Sequence, residues 1–138
     1  MASTTIGKKY ERWLKKWAPR LNLGEWEIHI RVVDRAEVDH NDGAIMSSTP
    51  DQSYRHCIIR IPKDLQEDEH TNLERAFVHE LMHVWVGALD EIAFRIEDAL
   101  ARVRPDQAEV LREERHVARE YLTEQLARIV WNAYEGGR

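Results

Sequence analysis

The chain has 138 residues, enough for one domain with a real core. It is 43% apolar and 33% charged with a formal net charge of −5, which fits a globular protein and leaves no basic tract for a phosphate backbone. Cys57 is the only cysteine, so an internal disulfide and a cysteine-rich zinc site are both excluded.

Thr5 to Trp17 reads as a helix, because Ile6, Tyr10, Trp13, Leu14 and Trp17 recur at helical spacing with lysines between them. Pro19 and Gly24 are expected to close it. Its basic amphipathic character also suits a membrane surface, but the three aromatics on one face point to packing on the domain. Trp26 to Val33 alternates, with Trp26, Ile28, Ile30 and Val32 on one face, and predicts a half-buried strand. Asp39 to Gly43 reads as a turn, Ala44 to Ser48 as a second strand, and Pro50-Asp51 as another turn. Tyr54 to Ile61 reads as a third strand that Pro62 ends. Asp64 to Asn72 is an acidic connection.

Thr71-Asn72-Leu73-Glu74 has the capping-box pattern T-x-x-E, which starts a helix by satisfying its free N–H groups. That helix is expected from about Asn72 to Val86, with Gly87 ending it. Asp90 to Val103 is helical by spacing. Pro105 suits the first turn of a last helix reaching about Tyr134, before Gly136-Gly137. The five tryptophans are expected in or at the edge of the core.

The helix after the strands carries His79-Glu80-Leu81-Met82-His83, the pattern H-E-x-x-H. Residues four apart lie one turn apart on one helix face, so His79 and His83 can point ring nitrogens at one ion. Zinc lowers the pKa of its water from about 15.7 to about 7, and the neighbouring Glu80 can then take the proton. Val78, Leu81, Met82, Val84, Trp85 and Val86 supply the buried face that such a helix needs. A pair of core histidines without a metal is the plainer reading of the same residues.

A catalytic zinc has three protein ligands and one open position, so a third ligand is required. The extended form H-E-x-x-H-x-x-G-x-x-H fails, since Val86 stands where glycine is needed and Leu89 where histidine is. The remaining route is a carboxylate from a later helix. Glu120 and Glu124 lie one turn apart on one face, in a stripe with Glu113, His116 and Trp131. The first can bind zinc, and the second can accept a hydrogen bond from a ligand histidine's other ring nitrogen. Helical phase does not choose between them. His116, Glu97 and Glu91 are the further candidates. His29, His40, His56 and His70 precede the motif in predicted strands or loops and are not expected ligands. Tyr54, Tyr121 and Tyr134 are each candidates to stabilise a tetrahedral intermediate.

His79, Glu80, His83 and the Glu120-x-x-x-Glu124 pair resemble the gluzincin pattern, H-E-x-x-H followed by E-x-x-x-D. The resemblance implies Glu120 as third ligand and Glu124 as the supporting residue beside a histidine. The chain departs from it in having Glu rather than Asp at position 124, and in a longer interval between the motifs. The layout from Leu21 onward is also similar to small zincin-like metallopeptidases encoded by phages and prophages. The matching stretches are Leu23-Gly24-Glu25-Trp26-Glu27-Ile28, Ile58-Ile59-Arg60-Ile61-Pro62 and Glu124-Gln125-Leu126-Ala127-Arg128. These relations imply a single α+β domain: an N-terminal helix, about three strands in an antiparallel or mixed sheet, the motif helix, then C-terminal helices. They imply a zinc-dependent peptidase whose extended substrate pairs with an edge strand, from Tyr54 to Ile61 or Ala44 to Ser48.

The expected cofactor is Zn2+ and the expected partner a peptide or protein substrate, with neither nucleic acid nor membrane. No apolar stretch reaches the roughly 18 residues of a membrane span, and the N-terminus lacks the apolar centre of a secretory leader, which predicts a cytoplasmic protein. Two other readings use the same residues. One is a zinc-binding regulatory or phage-associated protein with little protease activity. The other is a metal-free assembly protein in which the motif is accidental.

Overall fold

The aromatic stripe near the N-terminus folds into a helix, as its spacing predicts. In the computed structural model of the chain, which describes residues 5–38, 45–66 and 72–136, α1 spans Thr5–Arg20 and buries Tyr10 and Trp17. Pro19 lies inside its last turn rather than beyond it. The helix is closed by Asn22, at φ 56°, and not by Gly24. Leu23 N–H donates to Ala18 O at 2.8 Å and Asn22 N–H to Pro19 O at 3.2 Å. That pair of bonds is a Schellman cap with asparagine in the left-handed position, and the apolar residue that follows it, Leu23, is buried.

Two compact units make up the chain, residues 1–81 and 82–138. In the first, strands β1 (Glu27–Val33), β2 (Ser47–Asp51) and β3 (His56–Pro62) form a mixed sheet in the order β1-β3-β2. β1 runs parallel to β3 with Ile28 beside Cys57 and Ile30 beside Ile59. β2 runs antiparallel to β3 with Ser48 beside Ile59 and Pro50 beside Cys57. The central strand β3 alternates, and Cys57, Ile59 and Ile61 are fully buried. A short 3-10 turn, Arg35–Glu37, follows β1 and has no counterpart in the sequence reading.

The second strand begins later than expected. Pro50 and Asp51 belong to β2, and the chain turns at residues 52–55, where the Asp51 carboxylate accepts from Ser53 N–H at 3.0 Å and Tyr54 N–H at 3.3 Å. A proline is tolerated there because β2 lies at the sheet edge. The predicted turn at Asp39 to Gly43 and the start of the predicted strand at Ala44 lie outside the described residues.

Helix α2 spans Leu73–Ala101, 29 residues without a break. The predicted end at Gly87 is therefore wrong, and the two helices expected on either side of it are one. An interior glycine costs about 0.5–1 kcal/mol relative to alanine, which the helix-forming Ala88, Leu89, Glu91 and Ala93 offset, and no proline follows until Pro105. The cap also differs. Asn72 accepts Arg75 N–H on its Oδ1 at 3.0 Å and stands at the N-cap, while Thr71 lies outside the described residues. Glu74 has another task. It accepts Trp17 Nε1–H at 2.9 Å and pairs with Lys16 at 2.6 Å, which satisfies the indole of a fully buried tryptophan. Tyr10 meets Phe77 edge-on at 5.5 Å between ring centres, and these contacts dock α1 on the first turns of α2.

In the second unit, the later part of α2 is joined to α3 (Pro105–Tyr134), with Pro105 in the first turn as predicted. Two acidic residues of α2 fix the pairing. Glu97, only 3% exposed, accepts Arg112 Nε and Arg115 Nε, each at 2.7 Å. Asp90 accepts Arg115 Nη1 at 2.9 and 3.1 Å, with Arg119 at 3.4 Å. A carboxylate this buried persists only when paired, and the two guanidinium groups hold Glu97 below its ordinary pKa, Arg112 most. The architecture is α+β: three helices and a three-stranded mixed sheet. No described helix is long and apolar enough to cross a membrane.

Candidate metal centre

His79 and His83 lie one turn apart on α2, as their spacing requires. The ligand atoms of His79, His83 and Glu120 all fall within 4.8 Å of one another, the single group of potential metal donors among the described residues. All three side chains are partly buried. His83 Nε2 stands 3.5 Å from Glu120 Oε1. Two donors on a tetrahedral zinc, each at about 2.0–2.1 Å, are about 3.4 Å apart, so this edge already has the separation that zinc demands.

The other nitrogen of His83 explains its orientation. Thr123 is fully buried, and its hydroxyl donates to Arg119 O at 2.7 Å. The lone pairs of Oγ1 then face His83 Nδ1 at 3.5 Å and can only accept from it. With its proton on Nδ1, a neutral His83 presents the Nε2 lone pair towards the Glu120 carboxylate. The same carboxylate oxygen also stands 3.5 Å from Arg119 Nε. A proton on Nε2 would satisfy His83 and Glu120 alone. A divalent ion there would also take up His79, and two imidazoles with one carboxylate are a donor set that suits zinc.

Glu80, next to His79, is 8% exposed and belongs to the buried set. Its charge reaches Cys57 in β3. Burial pushes the Cys57 thiol up to about 12; the backbone of Thr49 opposes the shift and the Glu80 carboxylate adds to it. The thiol therefore stays protonated and inert, as its place in a central strand suggests.

Several sequence expectations change here. Glu120 lies with the two histidines, Thr123 faces His83 Nδ1, and Glu124 has an i,i+4 pair with Arg128 at 3.3 Å. A threonine inside a helix carries no motif, and the only signal for Thr123 in the sequence is its position between Glu120 and Glu124. His116 is exposed and meets Arg119 Nη2 at 2.8 Å. Glu97 is committed to two arginines and Glu91 to Arg95. Tyr54, Tyr121 and Tyr134 are 83%, 67% and 39% exposed, which removes them as enclosed donors. Trp85 is 49% exposed rather than a core residue. The predicted edge strand at Tyr54 to Ile61 is the central strand β3, so β1 and β2 are the edges.

Comparisons of the chain with protein-family models, with curated proteins and with solved structures gave no match.

Proposed function

We propose that the chain is a zincin-like, zinc-dependent peptidase with His79, His83 and Glu120 as metal ligands and Glu80 as general base. The observation that carries the reading is the convergence of two imidazoles and one carboxylate beside an adjacent, nearly buried glutamate. A zinc ion held there supplies Lewis acidity towards a scissile carbonyl and a water. Glu80 takes the proton of the attacking water and returns it to the departing amine nitrogen. Thr123 holds the His83 ring in the tautomer that presents Nε2. An extended peptide adds to the free edge of β2, where main-chain bonds give affinity and alternate side chains give selectivity.

The test has two parts. Protein purified without chelator should contain near-stoichiometric zinc by elemental analysis. Glu80→Gln should keep the metal and lose cleavage of a peptide library, because the amide has nearly the same size and cannot act as a base. A wild-type protein that neither contains nor takes up zinc ends this reading. Loss of metal in Glu80→Gln, or full turnover by it, removes Glu80 from the role of base.

A further inference from the structure

The second unit leaves an unusual amount of apolar surface in one place. On α2, Trp85, Leu89, Ile92 and Ile96 are between 49% and 63% exposed. Their steps are four, three and four residues, the a and d positions of a heptad pattern. Beside them, a groove of about 300 Å³ runs between α2 and α3, with Leu111, Ala118 and Leu122 on the α3 side and Glu114 at its rim. A heptad seam is the surface that another helix covers, and single scattered apolar residues do not make one.

We propose that this face is the interface of a homodimer, in which the α2–α3 hairpins of two copies close into a four-helix bundle. Charge and level choose the partner and its orientation. Glu97 bonds Arg112 and Arg115, and Asp90 bonds Arg115 and Arg119, so the antiparallel helices are in known register. By that register Arg95 on α2 is level with Glu114 on α3. Arg95 and Arg102 flank the α2 seam, each held by its own helix through Glu91 and Asp98. The α3 edge carries Glu114 instead.

A twofold axis parallel to the helices sets α2 of one copy against α3 of the other, antiparallel and at the same level. Arg95 then meets Glu114 of the partner subunit, and the symmetry makes this pair twice. Ile96 covers Leu111 of the partner subunit, while Leu89 and Ile92 cover its Ala118 and Leu122. A twofold axis across the helices would set α2 on α2 and leave the Arg95–Glu114 pair unmade. The first arrangement is isologous and closed, and it uses up the apolar seam.

Sedimentation equilibrium of the full chain from 1 to 100 µM tests this. The wild type should sediment at twice the chain mass. Leu89→Glu with Ile96→Glu should be monomeric with an unchanged helical circular dichroism spectrum, since both side chains are exposed in the single chain. Arg95→Glu should raise the dimer Kd roughly tenfold, two rim ion pairs being lost. Combining it with Glu114→Arg should restore most of the loss. A wild type that stays monomeric at 100 µM overturns the proposal, whether or not it captures another protein or a lipid vesicle. So does a dimer that survives the two glutamates, or an Arg95→Glu defect that Glu114→Arg does not repair.

Discussion

Replacing Thr123 by valine keeps the shape of a fully buried side chain and deletes one acceptor. The hydroxyl already spends its proton on Arg119 O at 2.7 Å, so its only service to His83 is to accept from Nδ1. Contacts of this kind to metal-bound histidines are worth about 10–100-fold in metal affinity. The 3.5 Å separation lies at the long limit for an N–H···O bond, which places the expected loss near the lower end, about tenfold or 1.4 kcal/mol. Stability of the metal-free protein should fall by only about 1 kcal/mol, because valine fills the same space. Thr123→Ser separates the two effects. It keeps the oxygen and should bind zinc almost as tightly as the wild type, although loss of the methyl group loosens the packing. Competition with a chromophoric chelator measures the affinities, and thermal melts without metal measure the packing. Wild-type affinity in Thr123→Val, or an equal loss in Thr123→Ser, would refute the role given to the hydroxyl.

The same titration ranks the acidic candidates: Glu120→Ala should weaken zinc binding well beyond Glu124→Ala, and His116→Ala should leave it nearly unchanged. If Glu124→Ala proved the most damaging, the two glutamates would exchange roles; if His116→Ala did, the site would hold three histidines. A second prediction concerns pH. The pKa of Glu97 is lowered in the fold, first by Arg112 and then by Arg115, so its contribution to stability is complete above the ordinary glutamate value of 4.5 and is lost as pH falls through the folded value. Urea melts should therefore show Glu97→Gln less stable than the wild type at neutral pH, with the gap narrowing as pH falls below 4.5 through the lowered folded value. A gap that widens in acid would contradict the ion-pair assignment.

How much of this was legible in the residues depends on what each element needed. The apolar spacing of α1, the alternation of β1 and β3, and Pro105 at the start of α3 are local signals, and they placed those elements closely. Boundaries failed where a residue type has two uses. Gly87 can end a helix or be tolerated inside one. Pro50 can turn a chain or sit at a sheet edge, and only the pairing of β2 with β3 decides. Asn22, Glu74 and Asn72 were unreadable for a related reason. Each acts on a partner or a cap geometry that exists only once α1, α2 and the turn between α1 and β1 are in place.

The proposed metal site divides in the same way. His79, Glu80 and His83 follow from one helical turn. The third donor does not, because it depends on how α3 is rotated and at what height it meets α2. Asp90 and Glu97 decide the height by capturing Arg112, Arg115 and Arg119, which brings the residues around Thr123 level with His83. Buried Thr123 and Ala127 decide the rotation, since they mark the line of α3 that faces inward. Around the helix axis Glu120 lies nearer that line than Glu124, and Glu120 is the one whose carboxylate lies with the histidines. His116 lies one turn from Glu120 and away from the level of His83. Two arginine–carboxylate clusters with no part in the proposed chemistry thus help to set which residues of α3 meet His83. A change that weakens them without touching the site, such as Asp90→Asn, should lower zinc affinity while leaving the tautomer of His83 intact. An Asp90→Asn variant with undiminished affinity would mean that the packing around Thr123 alone sets the rotation.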